Sequence, residues 1–223
     1  DYYLGVIGSL LKDYGVDLVI FDSSDDDKTE KVVKKHGLSN VTYQKYSELE
    51  NQKTIDVKVY DAAAMFADKY KYIWLSRDRN VPLLDVIYDK LSLFAKENFN
   101  LVIVYPHSAA ADMHTVREYR APDKLLRDLC GEMTSLGSTI YSSRILQDLV
   151  NEQPVDDIKN YGMWVPVALF EHIADKPLKA VYFADDSFKF LPMSKASFWI
   201  KSNTLLWLWA ERWPIMISAL FNF

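Results

Sequence analysis

Short apolar runs alternate with helical segments along the first half of the chain. Four apolar runs have the length of strands, at 18–21, 41–43, 72–75 and 101–105. Four segments before or between them have helical periodicity or helix start and stop signals, at 2–14, 27–35, 54–67 and 83–94. Such alternation predicts a Rossmann-like α/β/α sandwich with a mostly parallel central sheet.

The pattern weakens beyond Pro106. Residues 107–135 are polar and helix-prone and contain no segment that the pattern assigns to a strand. Residues 138–146 fit a strand followed by a helix, and an apolar stretch covers 163–170. The second half of the domain is therefore predicted less completely than the first.

Composition narrows the class of protein. The chain has 223 residues, of which 26% are charged and 49% hydrophobic, as expected for a globular domain with an appendage. Its net charge of -5, with no dense basic stripe, argues against a nucleic-acid partner. The single cysteine, Cys130, cannot form an internal disulfide, so we expect a reducing, cytoplasmic location. We find neither a signal peptide nor an apolar run of about 18 residues.

Two polar loops follow strands of the predicted sheet and are expected at the same edge of it. The loop "DSSDDDKT" begins at Asp22, and "SRDRNVP" begins at Ser76 and contains Asp78. Ligands of open α/β sheets bind beyond the carboxyl ends of the strands, so Asp22 and Asp78 could face a common ligand. The alternative is that both are solvated loop acids.

These loops resemble the signatures of family 2 glycosyltransferases. The segment "IFDSSDDDKTEKVV" is similar to the family's "vvDDgStDgT", and "YDAAAMFADKYKYIWLSRDRNVP" is similar to its "rNlGialAkGeYiafLDaDDvlpP". A weaker similarity joins "GSTIYSSRIL" to "Gs.lyrrelL". The resemblance implies a GT-A fold and inverting transfer of a sugar from a nucleotide-diphosphate donor to a hydroxyl of a protein, glycan or lipid acceptor.

The resemblance also implies the residues of the donor site. Asp22 falls on the family's first Asp, so Asp22, Ser23 and Ser24 are expected to hold the nucleoside. Asp61 stands where the family usually has Asn, and Tyr60 where it often has Arg. Both exchanges alter the polarity of the expected pocket.

The metal motif departs from the family pattern. Family members use Asp-x-Asp to bridge Mn²⁺ or Mg²⁺ to the diphosphate, but this chain has Ser76, Arg77, Asp78 and Arg79. Asp78 is the one candidate metal ligand. Arg77 and Arg79 could replace part of the cation's role at the diphosphate, or they could pair with Asp78 and leave the site inactive.

A catalytic base is expected later in the chain. Asp156 and Asp157 are the acids nearest to the position where the family's base would fall, although an acidic pair ahead of a helix is also a common N-cap. The family's opening strand has no counterpart here, so we also expect residues ahead of Asp1.

A Trp-rich tail completes the chain. We divide the sequence into a glycosyltransferase-like domain, 1–195, and a helical segment, 196–223, whose apolar stripe is interrupted by Glu211 and Arg212 and kinked at Pro214. The stripe could pack on the chain's own core, form a homo-oligomer interface, or lie on the inner face of a membrane.

Two functions follow from the sequence. One is a nucleotide-sugar-dependent glycosyltransferase acting on a glycan, glycoprotein or lipid-linked acceptor. The other is a GT-A module that has lost catalysis and serves in glycan binding or subunit assembly, suggested by Ser76 in place of the first metal-binding Asp.

Overall fold

The structure, a computed structural model, describes residues 4, 8–46, 55–77, 80–104, 116–153, 164–184 and 188–190. In its first half the elements are α1 Ser9–Asp13, β1 Leu18–Asp22, α2 Lys28–His36, β2 Val41–Lys45, α3 Ile55–Phe66, β3 Tyr72–Trp74, β4 Asn80–Pro82, α4 Leu84–Glu97 and β5 Leu101–Val104. The second half contains β6 Val116–Tyr119, α5 Pro122–Met133, β7 Thr139–Ser142, α6 Ser143–Glu152, α7 Trp164–Ile173, β8 Ala180–Phe183 and β9 Phe188–Phe190.

Helix α2 shows how local signals set the elements that flank the first loop. It follows Asp27 and ends at Gly37, which adopts the left-handed conformation at φ 56° that glycine tolerates best. Asp27 makes no side-chain capping hydrogen bond; its carboxylate instead pairs with Lys31 at 2.8 Å. The helix limits predicted from the sequence are confirmed to within one residue.

The predicted α/β architecture is confirmed, but strand direction differs from the expectation. The largest described sheet has the order β3-β7-β5-β8-β6, in which β5 and β8 are parallel and the other three pairings are antiparallel. Strands β1 and β2 form a separate parallel pair, and β4 pairs antiparallel with β9. The expectation of a mostly parallel sheet is therefore corrected for the described strands. A buried strand is apolar on both faces whatever its direction, so the sequence pattern did not distinguish the two.

Two apolar layers enclose the five-stranded sheet. Strand β5 is buried along its whole length, and its side chains alternate between the layers. Leu101 and Ile103 join the cluster built with α3, α5, α6 and α7, whereas Val102 and Val104 join the one containing Phe94 of α4. This α/β/α layering holds the sheet that contains β3, the strand before Ser76 and Arg77, whereas Asp22 follows β1 in the separate pair with β2.

Several predictions from the sequence fall outside the described residues. These are Asp78 and Arg79, the candidate bases Asp156 and Asp157, and the segment 196–223 with its domain boundary. Within the described residues, no helix is both long enough and apolar enough to cross a membrane.

Candidate functional site

Asp22 lies at the carboxyl end of β1, where its side chain is almost completely buried. Its Oδ1 accepts hydrogen bonds from the backbone N of Ser24 at 2.9 Å and from the Ser24 hydroxyl at 2.6 Å. Its Oδ2 accepts one from the Tyr43 hydroxyl at 3.0 Å. Tyr43 is placed there by the parallel β1 and β2 pairing, which sets Ile20 opposite Tyr43. The strand register therefore builds the surroundings of the predicted nucleoside contact.

These hydrogen bonds keep Asp22 ionised. Burial by itself would raise the pKa of the Asp22 carboxyl, but the bonds from Ser24 and Tyr43, with the nearby charge of Lys45, lower that pKa below its ordinary value. Burial and the Asp22 carboxylate together raise the pKa of Tyr43 to about 12. At neutral pH the pair is thus a carboxylate that accepts a hydrogen bond from a neutral phenol.

Lys45, at the end of β2, braces the acidic loop. Its Nζ donates to the carbonyl oxygens of Ser24 and Asp26, the latter at 3.0 Å, and lies 3.9 Å from Oδ2 of Asp22. Asp26 is exposed and pairs with Lys28 at 2.6 Å. Together with the Asp27 and Lys31 pair described above, this ties two of the three consecutive acids to lysines beside the loop. Asp22 is the carboxylate that the fold encloses.

Helix α3 forms a second wall of this site. Lys58 donates from Nζ to the Ser23 hydroxyl at 2.8 Å and lies 5.7 Å from the centre of the Tyr46 ring. The Tyr46 hydroxyl donates to Oδ2 of Asp61 at 2.7 Å, and its backbone N donates to the carbonyl oxygen of Asp22 at 2.8 Å. Asp22, Ser23 and Asp61 are therefore joined in one polar network through Tyr46 and Lys58.

Sequence reasoning missed four members of this network: Tyr43, Lys45, Tyr46 and Lys58. Two of them, Tyr43 and Lys45, are two residues apart in β2, and residues at that spacing lie on the same side of a strand. This spacing is the signal by which the sequence could have grouped them. Tyr60, which occupies the family's Arg position, makes its described hydrogen bond outside this network. Its hydroxyl donates to the carbonyl oxygen of Val150 on α6 at 3.2 Å.

The end of β3 carries a second group of polar residues. Ser76 and Arg77 are exposed, and Nη2 of Arg77 donates to the Ser135 hydroxyl at 3.1 Å. Ser135 precedes β7, whose antiparallel pairing with β3 brings the start of β7 to the carboxyl end of β3. Arg77 is therefore held by the turn before β7, while Asp22 is held by β2.

The implied divalent cation can be tested against the donor atoms near β3. Among the described residues, no group of three or more His, Cys, Asp or Glu side chains could hold a metal ion. Ser76 and Arg77 precede position 78, and they supply a hydroxyl and a positive charge. Hard divalent cations need several oxygen ligands and are repelled by a guanidinium. The described residues therefore supply no such ligand group, and the candidate ligand Asp78 lies outside them.

Comparison with known proteins identifies the fold. No protein-family profile and no curated protein matches the chain. Solved structures do match: S. aureus TarS 1-349 in complex with UDP-GlcNAc has a TM-score of 0.59 at 12% identity, covering 88% of this chain and 56% of that one. A second structure of S. aureus TarS 1-349 gives a TM-score of 0.54 at 11% identity, covering 80% of this chain and 56% of that one.

The chain thus has the same α/β fold as the TarS structures, and this agrees with the GT-A-like fold expected from the sequence. At this level of identity the likeness establishes the fold. The chain spans about half the length of the TarS structures that it matches.

Proposed function

We propose that the protein is a nucleotide-sugar-dependent glycosyltransferase that transfers a sugar, with inversion, to a hydroxyl of a glycan, glycoprotein or lipid-linked acceptor. The observation that carries the proposal is the enclosed, ionised Asp22 at the carboxyl end of β1, joined to Ser23 and Asp61 in one polar network. A fold neighbour binds UDP-GlcNAc, which makes a UDP-sugar the first donor to test.

In this proposal the network around Asp22 holds the nucleoside. The network offers an ionised acceptor at Asp22 and a cationic donor at Lys58, a combination suited to the N–H and carbonyl groups of a base and to ribose hydroxyls. Tyr46 adds an aromatic ring beside Lys58. Since Asp22 already accepts three hydrogen bonds, its remaining capacity is about one further bond.

The diphosphate is assigned to the loop after β3. Arginine matches phosphate oxygens with a planar fork of donors, so Arg77, with Arg79, would neutralise charge on the leaving diphosphate. Asp78 is retained as the candidate ligand for any Mn²⁺ or Mg²⁺ that accompanies the donor. Because Ser76 stands where the family has its first metal-binding Asp, and arginines flank Asp78, we expect weak dependence of donor binding on added metal.

The acceptor hydroxyl needs a base. Asp156 or Asp157 would remove its proton as the sugar is transferred, and the nucleoside diphosphate would leave from the opposite face of the anomeric carbon. Oligomer formation or membrane contact through 196–223 belongs to this proposal as well.

The second candidate is a GT-A module without catalysis that acts in glycan binding or subunit assembly. It is favoured by Ser76, which stands where the family has its first metal-binding Asp, and by the engagement of the Arg77 side chain with Ser135. The enzyme is expected to release nucleotide from a sugar donor, whereas the module without catalysis is not.

One experiment separates them. UDP, GDP and their sugars are titrated into the 223-residue protein by calorimetry with Mn²⁺ or with EDTA, and release of free nucleotide is followed in parallel. The enzyme proposal expects binding of a UDP-sugar and slow release of UDP. Binding of the donor without any release, in the presence of candidate acceptors, supports the second candidate. No binding of any nucleotide contradicts the enzyme proposal.

A further inference from the structure

Three side chains from the β3 to β4 segment hold three consecutive residues of the turn before β7. Trp74 donates from Nε1 to the carbonyl oxygen of Gly137 at 2.8 Å. Asn80 donates from Nδ2 to the carbonyl oxygen of Leu136 at 3.1 Å, and Arg77 donates to the Ser135 hydroxyl at 3.1 Å, as described above. The loop after β3 is therefore attached to this turn through Arg77 itself and through one residue on either side of it, Trp74 and Asn80.

The backbone closes the same region. The N–H of Asn80 donates to the carbonyl oxygen of Arg77 at 3.0 Å, which joins the two ends of the segment 77–80. On the turn side, the backbone N–H and the hydroxyl of Ser138 both donate to the carbonyl oxygen of Ser135, at 3.0 and 2.7 Å. Asn80, Ser138 and Gly137 are buried, so water has little access to weaken these bonds.

Gly137 fits its place because it has no side chain. Its φ of +100° lies in the region that glycine adopts and other residues avoid. A Cβ on Gly137 would lie 2.1 Å from Nδ2 of Asn80 and 3.1 Å from the Ser76 hydroxyl. The loop after β3 is therefore packed directly against the turn, at a distance that only glycine permits.

We infer that the turn 135–137 positions Arg77 and thereby determines how well the donor site binds a diphosphate. The inference rests on the proposed function. Ser135, Gly137 and Asn80 are positioning residues, since they act on the diphosphate through Arg77. Free arginine side chains have many rotamers, and fixing one of them before binding reduces the entropy lost when phosphate binds. A pre-positioned guanidinium would also offset charge on the diphosphate where Ser76 replaces the family's first metal-binding Asp.

The mildest test removes one hydroxyl. Ser135→Ala deletes the acceptor for Arg77, while the Ser135 carbonyl that holds Ser138 remains. We expect affinity for UDP to fall about 5-fold, the effect of one ordinary hydrogen bond, and affinity for uridine to stay within about 2-fold. Ser135→Thr keeps a hydroxyl and should restore UDP binding. Ser39→Ala, at an exposed serine before β2, is the matched control.

A second variant tests the close contact. Gly137→Ala introduces the Cβ that meets Asn80 and Ser76. We expect this variant to lower the affinity for UDP by about 10-fold or more, because the loop after β3 is displaced. Where Gly137→Ala does not fold, as judged by circular dichroism, the Ser135 pair carries the test by itself.

The outcomes are distinct. The inference is supported if Ser135→Ala lowers the affinity for UDP but not for uridine, and if Ser135→Thr restores the affinity for UDP. An equal loss of affinity for UDP and for uridine, or no change in either affinity, overturns the inference while the proposed function stands. If the unmodified protein binds neither UDP nor a UDP-sugar, the proposed function and the inference fall together.

Discussion

The Tyr43 hydroxyl donates a 3.0 Å hydrogen bond to Oδ2 of Asp22, from one strand of a parallel pair to the end of the other. The two side chains shift each other's pKa in opposite directions: the carboxyl is easier to ionise, and the phenol is harder to ionise. The negative charge at the end of β1 is thus fixed by the fold, ahead of any ligand.

The first prediction compares two acids from one loop. Asp22→Asn should weaken binding of a UDP-sugar by about 10-fold or more, because the amide carries no charge and its NH2 group replaces one of the two accepting oxygens. Asp26→Asn should leave binding unchanged, since Asp26 is exposed and paired with Lys28. Calorimetric titration of both variants provides the measurement, and equal losses in the two would count against a special role for Asp22.

The second prediction concerns acid stability. Because the pKa of Asp22 is lowered in the folded protein, the stability that its charge supplies is complete above its ordinary value of 3.8 and is lost as the pH falls through the lower folded value. The difference in free energy of unfolding between the unmodified protein and Asp22→Asn should therefore shrink below pH 3.8. Urea unfolding at a series of pH values measures it. A difference that stays constant down to about pH 2.5 would contradict this assignment.

The third prediction removes the phenol. Tyr43→Phe should lower the free energy of unfolding by about 1.5 kcal/mol, as expected for a hydrogen bond to a charged group. It should also abolish one tyrosine ionisation near pH 12 in a spectrophotometric titration. Tyr88→Phe, at an exposed tyrosine on α4, is the control and should leave the free energy of unfolding unchanged.

The fourth prediction tests the wall formed by α3. Lys58→Met removes the donor to Ser23 and the cation beside the Tyr46 ring but keeps most of the aliphatic chain. We expect donor affinity to fall about 5-fold with little change in thermal stability, and Lys58→Arg to recover part of the loss. Unchanged affinity in Lys58→Met would place Lys58 outside the donor site.

The fifth prediction uses a polar cluster that belongs to the framework. His172 on α7 is buried, and its ring lies 2.7 Å from Glu152 Oε2 and 3.6 Å from Asp148 Oδ2 on α6. His172→Phe should lower the free energy of unfolding by about 1–3 kcal/mol by removing these contacts. Nucleotide affinity, measured below the melting temperature, should not change. A loss of affinity without a loss of stability would assign this cluster to the site.

Much of the first half of the fold could be predicted because its signals are local. Apolar runs set β1 and β3, and Gly37 ended α2 where the sequence indicated. The loop at Asp22 was found for the same reason, since it directly follows a clear strand. Its resemblance to a known signature then supplied a function to test.

The remainder depends on contacts between distant segments. Strand β6 has the exposed residues Val116, Arg117 and Glu118, so its sequence lacks the apolar run by which strands were identified. Strand direction was not predictable either, because β5 and β7 are both largely buried although they run in opposite directions. Lys58 and Tyr46 join the site through tertiary packing, which no local pattern indicates.

The central claim is that the end of β1 holds the nucleoside of a sugar donor. A crystal structure of the protein with a UDP-sugar tests it most directly. We expect the uridine to contact Asp22 and to lie beside Lys58, with the diphosphate at Arg77. A donor bound elsewhere, with Asp22 still enclosed by Ser24 and Tyr43 and without contact to the nucleotide, would contradict the claim.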